Sequence, residues 1–269
     1  MKKGGQVETL YKNPLYSEHL KKGVKPIIAC LGTFRDFEMS HDYASKILLS
    51  ESCNLFDITQ HYDGVPLKVE DIDYFAKPED GKNIDSKTGG QYTYIISSIS
   101  SCNKLTRYLY DCTSLIVAGK EKRTGQELSF LSHQDPFQFL QKGRVRGLFI
   151  LHLMESLWKM KKVCEEGTID IVIAGGNYFL DDPCNSYDPK EVKESKETYK
   201  KSISFLSRVV SKFFDFEPVV IVGPKTTDRS DAILYVNNER RLYITRPETG
   251  NATTESFLPQ DILIQEGKW

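Results

Sequence analysis

The sequence predicts an α+β protein built of layered mixed β-sheets flanked by helices, and three observations predict it. Hydrophobic residues make up 39% of the 269 positions and charged residues 27%, a balance that excludes a disordered or low-complexity chain. Beyond residue 90, short runs rich in Ile, Val, Tyr and Phe lie between turn-forming residues, as strands do. Two longer stretches repeat apolar residues at helical spacing, and no internal repeat is long enough for a solenoid. The length exceeds the common domain size but falls short of a comfortable pair, so one elaborated domain is expected.

Taken in order, 25–31 (KPIIACL) reads as a short buried strand and 41–50 (HDYASKILLS) as a helical stretch. The polar segment 76–90 (AKPEDGKNIDSKTGG) lacks apolar periodicity and reads as a long loop or linker. A boundary there divides the chain into an N-terminal extension, 1–90, in the role of a substrate-recognition or lid region, and a main domain, 91–269. Strands follow at 92–99, 112–118 and 126–132, then a helix at 147–163 and a strand at 169–174 that Gly175-Gly176 is expected to end. A helix over 188–214 is polar at first and amphipathic from Ile203 onward. It leads into a strand at 218–222, and the strands 232–236 and 241–245 are joined by Asn237-Asn238-Glu239-Arg240 as a tight hairpin connection.

Composition narrows the function classes. Lys plus Arg number 36 against 37 Asp plus Glu, a net charge of -1, so no long-range field favours nucleic acid or an anionic membrane. No window approaches the ~18 uninterrupted apolar residues of a membrane span, and no apolar core follows the two opening lysines as in a signal peptide. A cytoplasmic protein is expected, with delivery into another cell left open. The six cysteines, Cys30, Cys53, Cys102, Cys112, Cys164 and Cys184, include no C-x-x-C pair, and reduced thiols are expected. The five histidines include no H-x-x-x-H pair, so neither a metal nor a cofactor is expected. Gly223-Pro224-Lys225-Thr226-Thr227 lacks the glycine spacing of a P-loop. Gly175-Gly176-Asn177, after a strand, reads either as a tight turn or as a backbone cradle for an anion.

Cys112 and His133 flank a strand, turn and strand. With a loop at 121–124, opposed residues in this hairpin have numbers summing to 245, which sets Cys112 opposite His133. Directly opposed Cβ atoms lie ~4.5 to 5.5 Å apart, so this register puts a thiol nucleophile beside a base. The alternative is a buried structural cysteine with an incidental histidine.

The run Thr106-Arg-Tyr-Leu-Tyr-Asp-Cys112-Thr-Ser-Leu-Ile-Val, followed by Leu131-Ser132-His133, resembles the Thr, Cys, His core of the bacterial chemoreceptor glutamine deamidases, the CheD family. Ile171-Val-Ile-Ala-Gly-Gly-Asn177, the helix around 203–213, Pro218-Val-Val-Ile-Val-Gly223 and the closing hairpin through Arg241-Leu-Tyr-Ile-Thr-Arg246 resemble the downstream frame of that family over 92–247. A similar Cys-His arrangement marks the wider group that holds the cytotoxic necrotizing factor toxins and N-terminal asparagine amidohydrolases. The resemblance implies a CheD-like deamidase core carrying an N-terminal extension, without cofactor or metal. It implies a thiol-dependent amidohydrolase that deamidates a glutamine or asparagine side chain of a partner protein through a thioester on Cys112. His133 would serve as base and Thr106 as its orienter, with the backbone near Asp111 and Thr113 and the Gly175-Gly176 pair binding the oxyanion or substrate. Two alternatives accompany it: a catalytically silent binding protein on the same fold, and a transglutaminase that passes the same thioester to an amine.

Overall fold

Alternation of apolar side chains along each strand decides how the layers stack. The structure, a computed structural model, describes residues 7–10, 23–24, 27–33, 61–62, 65–66, 72–74, 94–109, 112–136, 140, 144–179, 188–225 and 231–246. In chain order the strands are β1 (Val7–Leu10), β2 (Ile28–Thr33), β3 (His61–Tyr62), β4 (Val65–Pro66), β5 (Ile72–Tyr74), β6 (Tyr94–Ile96), β7 (Asn103–Leu109), β8 (Thr113–Lys120) and β9 (Glu127–Gln134). After helix α1 (Arg144–Val163) come β10 (Asp170–Phe179), helix α2 (Pro189–Phe214), β11 (Val219–Lys225), β12 (Asp231–Val236) and β13 (Arg241–Arg246).

Two mixed sheets hold most of the strands. The larger has the order β1-β2-β13-β12-β7-β5 and the smaller β11-β10-β8-β9-β6, while β3 and β4 form a separate pair. Along β8, Leu115 and Val117 point to one face and Ile116 and Ala118 to the other, and both sets are fully buried. A central strand covered on both sides reads as such a continuous apolar run. On the first face, Phe149, Leu153, Leu157 and Met160 of α1 and Tyr199, Ile203, Leu206 and Val210 of α2 cover the smaller sheet. On the second face, Ile116, Ala118, Leu131, Val172 and Ala174 meet Ala29, Ile233, Tyr235, Leu242 and Ile244 of the larger sheet. The order of layers is therefore helices, five-stranded sheet, six-stranded sheet, an α+β architecture as the sequence predicts. Among the described residues, no helix is long and apolar enough to cross a membrane.

Local chemistry explains the helix ends. Asp188 caps α2, its Oδ1 accepting from Lys190 N at 2.9 Å, and Pro189 occupies the first helical position, where a missing N–H costs nothing. Asp215 stops the helix in the left-handed conformation, φ 64°. The connection Asn237-Asn238-Glu239-Arg240 is a 3-10 turn closed by Arg240, also left-handed at φ 53°. Arg240 is only 2% exposed, and its charge is matched inside: Nη1 lies 2.8 Å from Glu127 Oε2, Nη2 3.5 Å from Asp170 Oδ2, and Nη2 donates to Thr168 O at 3.1 Å. Burial opposes the guanidinium charge, but Tyr235, Glu127 and Asp170 outweigh it and hold the group protonated.

One sequence expectation changes. Gly175-Gly176 does not end its strand; β10 continues to Phe179. The pair instead sits at a bulge, because Ala174 pairs with Ile221 and Asn177 with Gly223, so two residues of β10 oppose one of β11. The first ninety residues supply strands to the larger sheet: β2 lies parallel to β13 and β5 parallel to β7. Ile27 N also donates to Asp170 Oδ2 at 2.8 Å, a buried bond joining this region to the smaller sheet. The expected helix at 41–50 and the expected linker at 76–90 lie outside the described residues.

Candidate active site

The β8–β9 hairpin carries the two residues that sequence pairing singled out. Its ladder runs from Lys120↔Glu127 to Thr113↔Gln134, so opposed numbers sum to 247 (120 + 127) and Ser114, rather than Cys112, faces His133. The turn is the cause. Glu121 N donates to Gln126 O at 2.7 Å, which leaves 122–125 as the loop, and Gly125 closes it at φ +74°, a conformation that a side chain disfavours. The loop thus sits one residue later than 121–124. A displacement of two in the pairing sum keeps side chains on their faces, since parity sets the face. Cys112 and Ser114 belong to the same alternating row, and His133 opposes Ser114. Cys112 therefore stands diagonally from the imidazole, one residue beyond the last rung; diagonal neighbours lie ~7 to 8 Å apart with their Cβ atoms somewhat closer.

This row looks into the space between the two sheets, where Cys112 packs against the apolar cluster. Thr106 reaches the same space from the opposite sheet. Its strand, β7, pairs with β12 at Ile233, a residue of that cluster. Thr106 Oγ1 and His133 Nδ1 are 2.8 Å apart, a hydrogen bond that spans the layers. Thr106 and Cys112 do not lie along one strand, because β7 and β8 belong to different sheets and the chain changes layer between Leu109 and Cys112.

Electrostatics define the resting state of the ring. Burial disfavours the imidazolium and lowers the pKa of His133 from 6.5 to about 4, so the ring is neutral near pH 7. Cys112 is half-buried and not disulfide-bonded. Cys164, also outside any disulfide, is pushed up to about 12, first by burial and then by the Glu127 charge, an inert thiol by contrast.

The remaining candidates divide by face. Gly175 pairs with Thr113 in the β10–β8 ladder, so Gly176, one residue on, is level with Cys112. The bulge at this pair takes one residue's backbone out of regular pairing beside the thiol. The Thr113 side chain turns to the helix side, where its Oγ1 accepts from Gln134 Nε2 at 3.0 Å, leaving only its backbone to serve the site. Asp111 lies outside the described residues. Sequence reasoning missed Ser114, whose Oγ donates to Ser132 O at 2.5 Å, and Gln134, fully buried behind His133. The parity of the hairpin, counted from Gly125 as the last loop residue, was the signal that would have found both.

Compared with known proteins, the chain matches no family model and no curated protein.

Proposed function

We propose that the protein is a cysteine-dependent amidohydrolase that deamidates a glutamine or asparagine side chain of a partner protein. The observation that carries the reading is the Thr106–His133 hydrogen bond, which aims a neutral imidazole into the inter-sheet space that Cys112 shares. A resting imidazole that is unprotonated is the form able to accept the thiol proton. In the tautomer whose Nδ1–H donates to Thr106 Oγ1, Nε2 is left as the acceptor, and the hydrogen bond holds the ring plane, the orienting role of a third triad member.

The reaction follows from these parts. Cys112 Sγ attacks the carboxamide carbon as its proton passes to His133, and the carbonyl electrons move onto oxygen. In this reading that oxyanion falls to backbone N–H groups at Thr113 and the Gly175-Gly176 bulge, which pair beside Cys112. His133 returns the proton to nitrogen, the C–N bond breaks and ammonia leaves, giving a thioester. Water then attacks with His133 again as base, releasing the carboxylate and restoring the thiol. Burial that keeps the imidazole neutral also disfavours a standing thiolate–imidazolium pair, so proton transfer accompanies attack.

Incubation with candidate substrate proteins, followed by peptide mass spectrometry, tests this. A gain of about 1 Da at a single glutamine or asparagine, with matching ammonia and dependence on Cys112, is the expected result. Equal modification by wild type and Cys112→Ala, or none across a broad substrate screen, refutes it.

A further inference from the structure

One transverse row crosses four strands of the smaller sheet on its helix-facing side: Tyr94 on β6 pairs with Gln134 on β9, Gln134 with Thr113 on β8, and Thr113 with Gly175 on β10. This is the last rung of the β8–β9 ladder, and the next residue along β8 is Cys112. Within the row, Gln134 Nε2 donates to Thr113 Oγ1 at 3.0 Å, and both side chains are fully buried. The other end of the amide is unmatched: Gln134 Oε1 is buried with no hydrogen-bond partner among the described residues. A buried orphan acceptor is destabilising, and an apolar side chain of similar size would remove the penalty. Stability alone therefore does not account for glutamine here.

Placement accounts for it. Strand ends fray because the last rung is held from one side only, and Cys112 lies where fraying starts. Gln134 directly follows His133, and Thr113 directly follows Cys112, so one hydrogen bond behind the sheet ties the base-bearing backbone to the nucleophile-bearing backbone. We infer that Gln134 is a positioning residue of the Cys112–His133 site: its amide grips the Thr113 hydroxyl and holds the thiol in line with the imidazole and the Thr113 N–H in place. The inference rests on the amidohydrolase reading above. It assigns Gln134 no contact with substrate, since its side chain lies on the opposite face of the sheet.

The test compares wild type, Gln134→Leu, Thr113→Val and the double variant, with two readouts. One is the melting temperature. The other is the iodoacetamide alkylation rate of Cys112 between pH 5 and 8, read by peptide mapping. In wild type, base assistance by His133 should keep Cys112 alkylating at pH 5 to 6, where an ordinary thiol of pKa ~8.5 loses its thiolate about tenfold per pH unit. Gln134→Leu should lower that rate roughly tenfold or more, as expected for a misplaced reacting group, and move the profile towards the ordinary thiol. Replacing both partners by apolar groups should recover the melting temperature, because no orphan remains, but not the alkylation profile. If wild-type Cys112 alkylates as an ordinary thiol, the amidohydrolase reading fails and the inference with it. If wild type is fast and Gln134→Leu equally fast, or if the double variant recovers both readouts, Gln134 is structural only and the inference fails while the enzyme reading stands.

Discussion

Acidification should cost this protein stability through one identifiable ring. His133 is held neutral by burial, with its pKa lowered from 6.5 to about 4. Between those values the unfolded chain binds the proton and the folded chain does not, so folding stability rises with pH across the window. The contribution is fully present above about pH 6.5 and is lost as pH falls towards 4. A displacement of 6.5 − 4 = 2.5 pKa units, at ~1.36 kcal/mol each, makes that loss about 3 kcal/mol, a large share of a typical folding free energy. His133→Asn cannot titrate, and the carboxylates and other histidines are common to both proteins, so the difference between their urea unfolding free energies isolates the ring. That difference should fall by about 3 kcal/mol, against wild type, from pH 7 to pH 4. The His133 ring resonance in an NMR titration should likewise show a midpoint well below 6. A difference constant across the window, or a midpoint near 6.5, would refute the claim that burial holds the ring neutral.

Other consequences follow from the same packing. Brief alkylation at neutral pH should label Cys112 and leave Cys164 untouched until the protein unfolds, because burial pushes the Cys164 thiol up to about 12; early labelling of Cys164 in the folded protein would contradict its placement. Arg240→Met strands Glu127 and Asp170 without their cation and should destabilise by about 3 to 5 kcal/mol in denaturant titrations, with a cost below ~1 kcal/mol disproving the pairing. Deleting residues 1–90 strips β2 from β13 and β5 from β7 and removes the Ile27–Asp170 bond, so the remainder should melt at lower temperature or aggregate through the bared strand edges. A truncated chain that keeps the full-length melting temperature would show those strands to be dispensable.

How much of this was legible beforehand depended on the range of the determining force. Local periodicity determined both helices and the central strands to within a few residues, since apolar spacing and caps such as Asp188-Pro189 act over one or two turns. The hairpin was also readable, but its register turned on which residue took the left-handed position, and Gly125 rather than Thr124 closes the loop. That single step moved Cys112 from opposite His133 to the diagonal, while parity kept both on one face. The Gly175-Gly176 pair reads locally as a stop, and only pairing with β11 turned it into a bulge inside a longer strand. The layer change between β7 and β8, which delivers Thr106 to His133 from the facing sheet, leaves no periodic trace, because it is fixed by where two sheets bury their apolar faces against each other. By itself, the sequence determined which residues could do chemistry and which face each one takes. Only the tertiary structure decided which of them meet, since the contact that joins Thr106 to His133 runs between sheets, whereas His133 and the Cys112 end of β8 share one hairpin.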